Sequence, residues 1–453
     1  MRDLILSSVF AALALMTFRY TWVGAMVWTW FSLMNPHKLT YGFAFSLPFA
    51  AIIAAITLLS VVWNRKQLRL PPDATVVMLC VFLVWVCIAT AFAIHPDLSS
   101  VDLVTTLKIQ LMTLVCLAAL RGRKLIELFV WVNVISIGFY GVKGGIFAIA
   151  TGGAAKVWGP TEGMIQDNNA LGLALVMTIP LMNYLRVVAV QKWLRRGMLL
   201  AILLTSVAVL STQSRGAFLA ISAMGLVLWF RSSKKVLGAV VMVGVAVSLL
   251  AFMPKSWEDR MSTIGTYKED GSARGRINAW ETAFNVANDR ITGAGFEIEQ
   301  RDIFDRYAPD PTIVLTAHSI YFQALGEQGW IGLGLFLSLG ALSFFNAARL
   351  RKAALARPET RWVRELAGMI QVSMVGYAVG GAFLSLTYFD LPYNVMVMLI
   401  ASKYWLREER WQTEPTGLFG SGSGLPPPPV VKPVPGGSAA PARSVVLTPT
   451  PKK

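Results

Sequence analysis

Residues 315–336 read LTAHSIYFQALGEQGWIGLGLF, a long apolar stretch that opens on His318 and goes on to carry Gln323 and Glu327. Such side chains are unfavourable in lipid and usually have a partner or a task. A neutral imidazole at a membrane–water boundary can take a proton from a hydroxyl at ambient pH, so His318 is a candidate general base. A histidine there can equally serve only to hydrogen-bond a loop, and the residues alone leave both readings open. Glu327 lies nine residues on, which in a continuous helix sets it on the opposite face and ~13 Å deeper. It shares that face with Gln323. The two acid–base groups therefore do not form a dyad within one helix, and Glu327 is expected to satisfy a buried partner on another helix, Lys143 or an arginine.

Three arginines complete the chemical inventory. In STQSRGAFLAI (211–221) a short polar loop leads into an apolar run with Arg215 at its entrance. A guanidinium there can snorkel to headgroups or grip a phosphate through two parallel hydrogen bonds. Arg274 and Arg276 sit at the start of RGRINAWETAFNVANDRI (274–291), in which Ile277, Trp280, Phe284, Ala287 and Ile291 recur at helical spacing. Two guanidinium groups beside free helix N–H donors suit an anion, or make a solvated helix end. One base and three arginines on one face of a bilayer suit a lipid-linked phosphate or diphosphate. With no acidic cluster of divalent-metal character evident there, the expected mechanism is metal-independent and uses no cofactor, arginines neutralising the departing charge.

The elements that must position these groups are membrane helices. The chain has 453 residues, 55% of them hydrophobic, and a mean hydropathy of +0.56. Apolar runs recur from end to end, which marks a polytopic membrane protein. The formal charge of +16 does not indicate nucleic acid. Lys and Arg gather in alternate links, NRKQLR (64–69), RGRK (121–124), RSSKK (231–235) and RLRKAALARPETRWVR (349–364), whereas HPDLSS (95–100) and TYFDLP (387–392) have none. That is the positive-inside pattern: basic links in the cytoplasm, the others on the periplasmic side of a bacterial inner membrane, and a cytoplasmic C-terminus. Cys80, Cys87 and Cys116 lie in apolar runs without metal-ligand spacing and read as packing residues. No cleavable signal peptide is evident after Met1.

Expected spans are 4–18, 21–34, 43–63, 74–94, 102–120, 125–150, 169–185, 197–212, 215–230, 236–253, 318–346, 366–386 and 391–406. The fold class is thus all-α, with about 12 transmembrane helices (11–13). Residues 1–253 form the first part of the bundle and 254–317 a periplasmic insert holding an amphipathic helix. Residues 318–411 form the rest of the bundle, and 412–453 a Pro/Gly-rich tail too poor in large apolar residues to fold. The loop GGAAKVWGPTEGMIQDNN (152–169) is placed to pack beside the insert.

In order along the chain, SRG at a helix start, GRINAW followed by ITGAGF, and HSIYFQALGEQGWIGLGLF resemble the O-antigen ligase and polymerase superfamily. The opening WVGAMVWTWFSLMNPHKLTYGFAFSLPFA, with GPTEGMIQDNNALGLALVMTIPL, is similar to the branch of exosortase-associated O-glycosylation ligases. The resemblance covers roughly 1–410. It implies a GT-C-like glycosyltransferase that moves a glycan from undecaprenyl diphosphate to a hydroxyl of lipid A–core on the periplasmic face, with inversion. It also implies His318 as the base and Arg215 and Arg276 on the diphosphate, with Arg274 behind them because the motif singles out the arginine four residues before the tryptophan. An O-antigen polymerase and a protein O-glycosylation ligase share this donor. A transporter or flippase would instead favour internal repeats and midplane charges, and no repeat is visible.

Overall fold

The computed structural model describes residues 1–231, 235–236, 271–414 and 416–418. All described elements are helical. They are α1 (Arg2–Arg19), α2 (Thr21–Met34), α3 (Phe49–Trp63), α4 (Ala74–Ala91), α5 (Pro96–Ala119), α6 (Arg123–Ala150), α7 (Asn168–Val188), α8 (Lys192–Ser211) and α9 (Arg215–Arg231). After the next described residues begin come α10 (Gly271–Asp289), α11 (Arg301–Tyr307), α12 (Ile320–Ala353), α13 (Arg361–Gly380) and α14 (Asp390–Arg407). Among the described residues, seven helical stretches, α4 to α8, α12 and Pro358–Phe383 around α13, are long and apolar enough to cross a membrane, so this is a multi-pass membrane protein. The other expected spans among the described residues are helical too, in α1, α2, α3, α9 and α14, but are shorter or carry more charge. The expected span 236–253, the start of the insert and residues 419–453 of the tail lie outside the described residues, as does the tail unit 424–453.

The bundle is organised around α7, whose residues from Ala170 to Met182 are all buried. It packs against α6, α8, α9 and α13. A separate aromatic cluster joins α1, α2 and the start of α3: Phe10 lies 5.4 Å from Phe31 and 4.7 Å from Phe49, ring centre to ring centre.

Glycine-rich sequence in α12 becomes a break. Gly329 has φ 66° and ψ −174°, which ends one helical segment and starts another inside the apolar stretch. The freed carbonyls are taken up in order. Ala294 N–H donates to Gly326 O (2.8 Å) and Gly295 N–H to Glu327 O (3.0 Å), while the Trp85 indole donates to Gln328 O (2.9 Å). Irregular backbone at membrane depth survives only when buried in protein and so satisfied, and Gly326 to Gly329 are all buried. This is the structural use of ITGAGF: its glycines, at φ 72° and 86°, bring bare backbone against the break.

Residues 274–291 do form the expected helix, α10, but its buried face differs from the one anticipated. Ile277, Phe284 and Ile291 are exposed; Ala287, of the same expected set, is buried, together with Asn278, Ala279, Thr282, Ala283 and Val286. The reason is close approach: at Gly326 of α12 a side chain would meet Ala283, so only small residues fit the seam. The large rings flank it, Trp280 stacked on Phe322 at 4.9 Å and Phe284 edge-on to Trp330 at 5.7 Å.

At the opposite end of α6, the first tail residues are bonded to the bundle. Glu414 accepts from Arg123 N–H (2.9 Å) and the Trp405 indole (3.0 Å), and Leu418 N–H donates to Glu127 (2.7 Å). Glu127 is itself paired with Arg123 at 2.9 Å, both almost fully buried. Removing Glu414 and Leu418 takes the acceptor from the Arg123 amide and the Trp405 indole and a donor from the buried Glu127 carboxylate, so truncation after Trp411 should destabilise the protein by about 2 kcal/mol or more. Truncation after Ser423 should leave melting in detergent unchanged; equal melting of both truncations would refute this. Gly293→Ala should also destabilise, by at least about 2 kcal/mol. A side chain there would sit 2.7 Å from the Glu327 carbonyl carbon and the Gly326 oxygen. Unaltered melting of that variant would show that the break tolerates a displaced loop.

Candidate functional site

His318 is not on α12 but two residues before it, between the extended segment 313–317 and Ser319 at the helix start. Its backbone is left-handed, φ 45°, a conformation that costs a β-carbon-bearing residue about 1 kcal/mol or more and persists where surroundings enforce it. The Trp280 indole donates to the Ala317 carbonyl at 2.6 Å. Further back, Asn278 Nδ2 donates to Asp310 O and Ile313 O, both at 2.9 Å, and its Oδ1 accepts from Asp310 N–H at 2.9 Å. α10 therefore holds the whole approach to His318.

Arg276, on the first turns of α10, acts electrostatically on His318. The imidazole's proton affinity lies below its ordinary value of 6.5, chiefly because the ring is half-buried, then because of the Arg276 charge, with Asp167 opposing. Asp167 caps α7, accepting from Asn169 N–H (2.8 Å) and Ala170 N–H (3.3 Å). Next to it, Asn168 Nδ2 donates to Thr212 O at 2.7 Å, which ties this cap to the loop that leads into Arg215. There Gln213 is left-handed (φ 54°) and Ser214 Oγ accepts from Ala217 N–H (3.2 Å), turning the chain sharply into α9. Gly216 lies against Phe383, and Gly381 of the same turn lies against Ile320. Arg215, Arg276 and His318, distant in sequence, thus start or precede three helices that meet at one end of the bundle. Arg274 is exposed. Its charge acts on Asp310, whose carboxyl is held below the usual range first by the Thr312 hydroxyl and amide and then by Arg274.

Glu327 has other partners than those expected. Tyr388 Oη donates to its Oε2 at 2.9 Å and Gln323 Nε2 to its Oε1 at 3.1 Å; Lys143 is exposed. Gln323 in turn accepts from Thr387 Oγ1 (2.8 Å) and Thr387 N–H (3.2 Å). A neutral phenol and an amide replace the anticipated cation because TYFDLP folds back over the first half of α12. Sequence reading passed over Tyr388 and Asp167. The second had a local signal, an Asp immediately before an apolar helix; the first, 61 residues from its partner, had none.

The site belongs to a multi-pass all-α membrane protein with basic and imidazole groups gathered at the ends of separate helices. Residues 200–337 match the model of the family described as O-antigen ligase, and residues 1–190 match a family of unknown function (DUF5935). No curated protein matches the chain. The segment that carries SRG, GRINAW and HSIYFQALGEQGW is thus similar to the O-antigen ligase family.

The lowered basicity of His318 makes a testable statement about pH. A group whose folded value is depressed stays neutral to more acid pH, so the acid limb of kcat/KM should have its midpoint below pH 6.5. In Arg276→Gln the residual activity should show that limb moved upward, toward 6.5. A wild-type midpoint at or above 6.5, or no movement in the variant, would separate the titrating group from His318.

Proposed function

We propose that this protein is a GT-C-like, lipid-linked-oligosaccharide-dependent glycosyltransferase of about 12 membrane spans. It moves a glycan from undecaprenyl diphosphate to a hydroxyl of lipid A–core, in lipopolysaccharide biosynthesis. The reaction takes place on the periplasmic face of the bacterial inner membrane, and the C-terminus is cytoplasmic. His318 takes the proton of the attacking hydroxyl. Arg215 and Arg276 hold the diphosphate, with Arg274 at the rim, and balance the charge that leaves with it. Attack opposite the diphosphate inverts the anomeric centre. No metal takes part, the guanidinium groups serving where a divalent cation would.

The observation that carries this reading is the convergence of Arg276 and His318. They lie 42 residues apart on separate elements, yet the guanidinium charge is felt at a half-buried imidazole whose backbone is left-handed. A cation beside a neutral base is what acyl- or glycosyl-acceptor activation opposite an anionic leaving group requires.

The test is ligation by purified protein in lipid, with undecaprenyl-diphosphate glycan and lipid A–core. His318→Ala should lower kcat by ~10²–10⁴-fold, and Arg276→Ala should raise the donor KM by about tenfold or more; EDTA should change neither. Product from His318→Ala at the wild-type rate would remove it as the base. Glycan polymer in place of ligated product would make the enzyme a polymerase, and activity lost to EDTA and restored by Mg²⁺ would overturn metal independence.

A further inference from the structure

A cavity of about 360 Å³ opens beside the site, reaching Thr316, two residues before His318, and Gln323 and Glu327 on the first half of α12. Its volume is that of a small-ligand pocket. Its walls come from α5, from the loop after ITGAGF, from α12 and from the turn before α14. Carboxylates from these walls converge on it: Asp102 on α5, Glu297 and Glu299 on the loop, and Glu327. The first three influence one another, since Asp102 raises both glutamates' proton affinity behind the larger effect of their burial. The four carboxylates do not make a metal site: among the described residues no three His, Cys, Asp or Glu side chains are grouped as metal ligands.

A buried hydroxyl points to an occupant. Thr106, 3% exposed, lines the cavity beside Thr105, whose hydroxyl donates to Val101 O. Ser385, also in the lining, has a buried Oγ with no partner. Buried hydroxyls are seldom left unbonded. A carboxylate is acceptor-only, whereas a hydroxyl both gives and accepts. The wall therefore sets acceptor-only carboxylates beside a hydroxyl, that of Ser385, left for an occupant to bond, and it also offers an aromatic surface, Phe296 packed on Tyr388 at 5.0 Å.

We infer that this cavity is the acceptor subsite: it holds the uncharged, hydroxyl-rich sugar ring whose hydroxyl attacks, and it turns away rings bearing phosphate or carboxylate. This rests on the glycosyl-transfer reading above. Ring hydroxyls supply the donors that the carboxylates lack, one of them accepts from Thr106, and the apolar face of the ring lies on Phe296. An anionic ring would face like charge in a partly desolvated space. The arginines are thereby reserved for the donor and the carboxylates for the acceptor, so two glycans sharing one chamber bind at opposite electrostatic ends.

The test separates binding from transfer. Saturation-transfer NMR on the full-length protein would use lipid-free core oligosaccharide ending in a neutral hexose, and the same oligosaccharide oxidised to uronates. The neutral form should bind and the oxidised form should bind at least about tenfold more weakly. Thr106→Val, nearly isosteric, should weaken binding of the neutral form and raise the acceptor KM by about fivefold or more, with donor KM unmoved. Glu299→Gln should narrow the preference for neutral over oxidised acceptor. Equal binding of both forms, or a Thr106→Val protein whose acceptor binding and KM match wild type, would overturn the subsite even if transfer proceeds. Binding that behaves as described in a protein that transfers nothing would instead sink the reaction while leaving the sugar site in place.

Discussion

Much of this molecule follows from one requirement, that three successive carbonyls freed in the middle of α12 be bonded. In water a helix break at Gly329 would be inconsequential, because solvent would take up Gly326, Glu327 and Gln328. Within an apolar bundle each unbonded carbonyl costs several kcal/mol, so the break exists only with its covers in place. Those covers are the amides of Ala294 and Gly295 and the indole of Trp85. The Ala294 carbonyl then accepts from Ile94 N–H at 2.8 Å, and the Phe296 carbonyl from Ser99 Oγ at 2.9 Å. One loop thus sews α12 to the α4–α5 turn, and the direction of α10, which ends just before that loop, is set by the same bonds.

That arrangement frees the segment Ile320–Gln328 from the long helix that follows it. Its position is decided by Trp280 on Phe322, by Thr387 Oγ1 donating to Ile320 O at 3.0 Å, and by Tyr388 on Glu327. His318 precedes this half-helix, so its placement is inherited from α10 and from the turn before α14, not from the transmembrane register of α12. Glu327 acts here as a structural acceptor at the corner of the cavity, and with Gln323 it holds the support, while on the proposed reading His318 takes the chemistry.

How much of this the sequence disclosed depends on the range of the interaction. Helices follow from hydropathy and local periodicity, and α10 was legible in 274–291 for that reason. Arg215, Arg276 and His318 stood out as candidates because they sit in short stretches of unusual polarity beside apolar runs. The buried face of α10 was not legible, since the large residues alone suggested Ile277 and Phe284, and only the proximity of Gly326 makes Ala279 and Ala283 the inward side. The GEQGW sequence gives no sign that Gly329 rather than Gly326 turns left-handed; that depends on which carbonyls the distant 293–295 backbone can reach. The acidic cavity was illegible because its walls come from segments up to some 280 residues apart, and its four carboxylates are spread over three of them.

The electrostatics of Arg276 and His318 carry a further consequence on the proposed reading. Before donor arrives, burial first and the guanidinium second favour the neutral imidazole, which keeps the base ready but makes it a weak one. A diphosphate bound at Arg276 brings negative charge to the same place and cancels much of that field. The proton affinity of His318 then rises when donor is present and falls when the diphosphate leaves. The base strengthens for the step in which it must take the hydroxyl proton, and the proton is released more readily once the anionic product has gone. Arg276 on this view serves the acceptor half of the reaction through the donor half, and the half-burial of His318 is what makes the coupling strong, since a solvated imidazole would scarcely feel either charge.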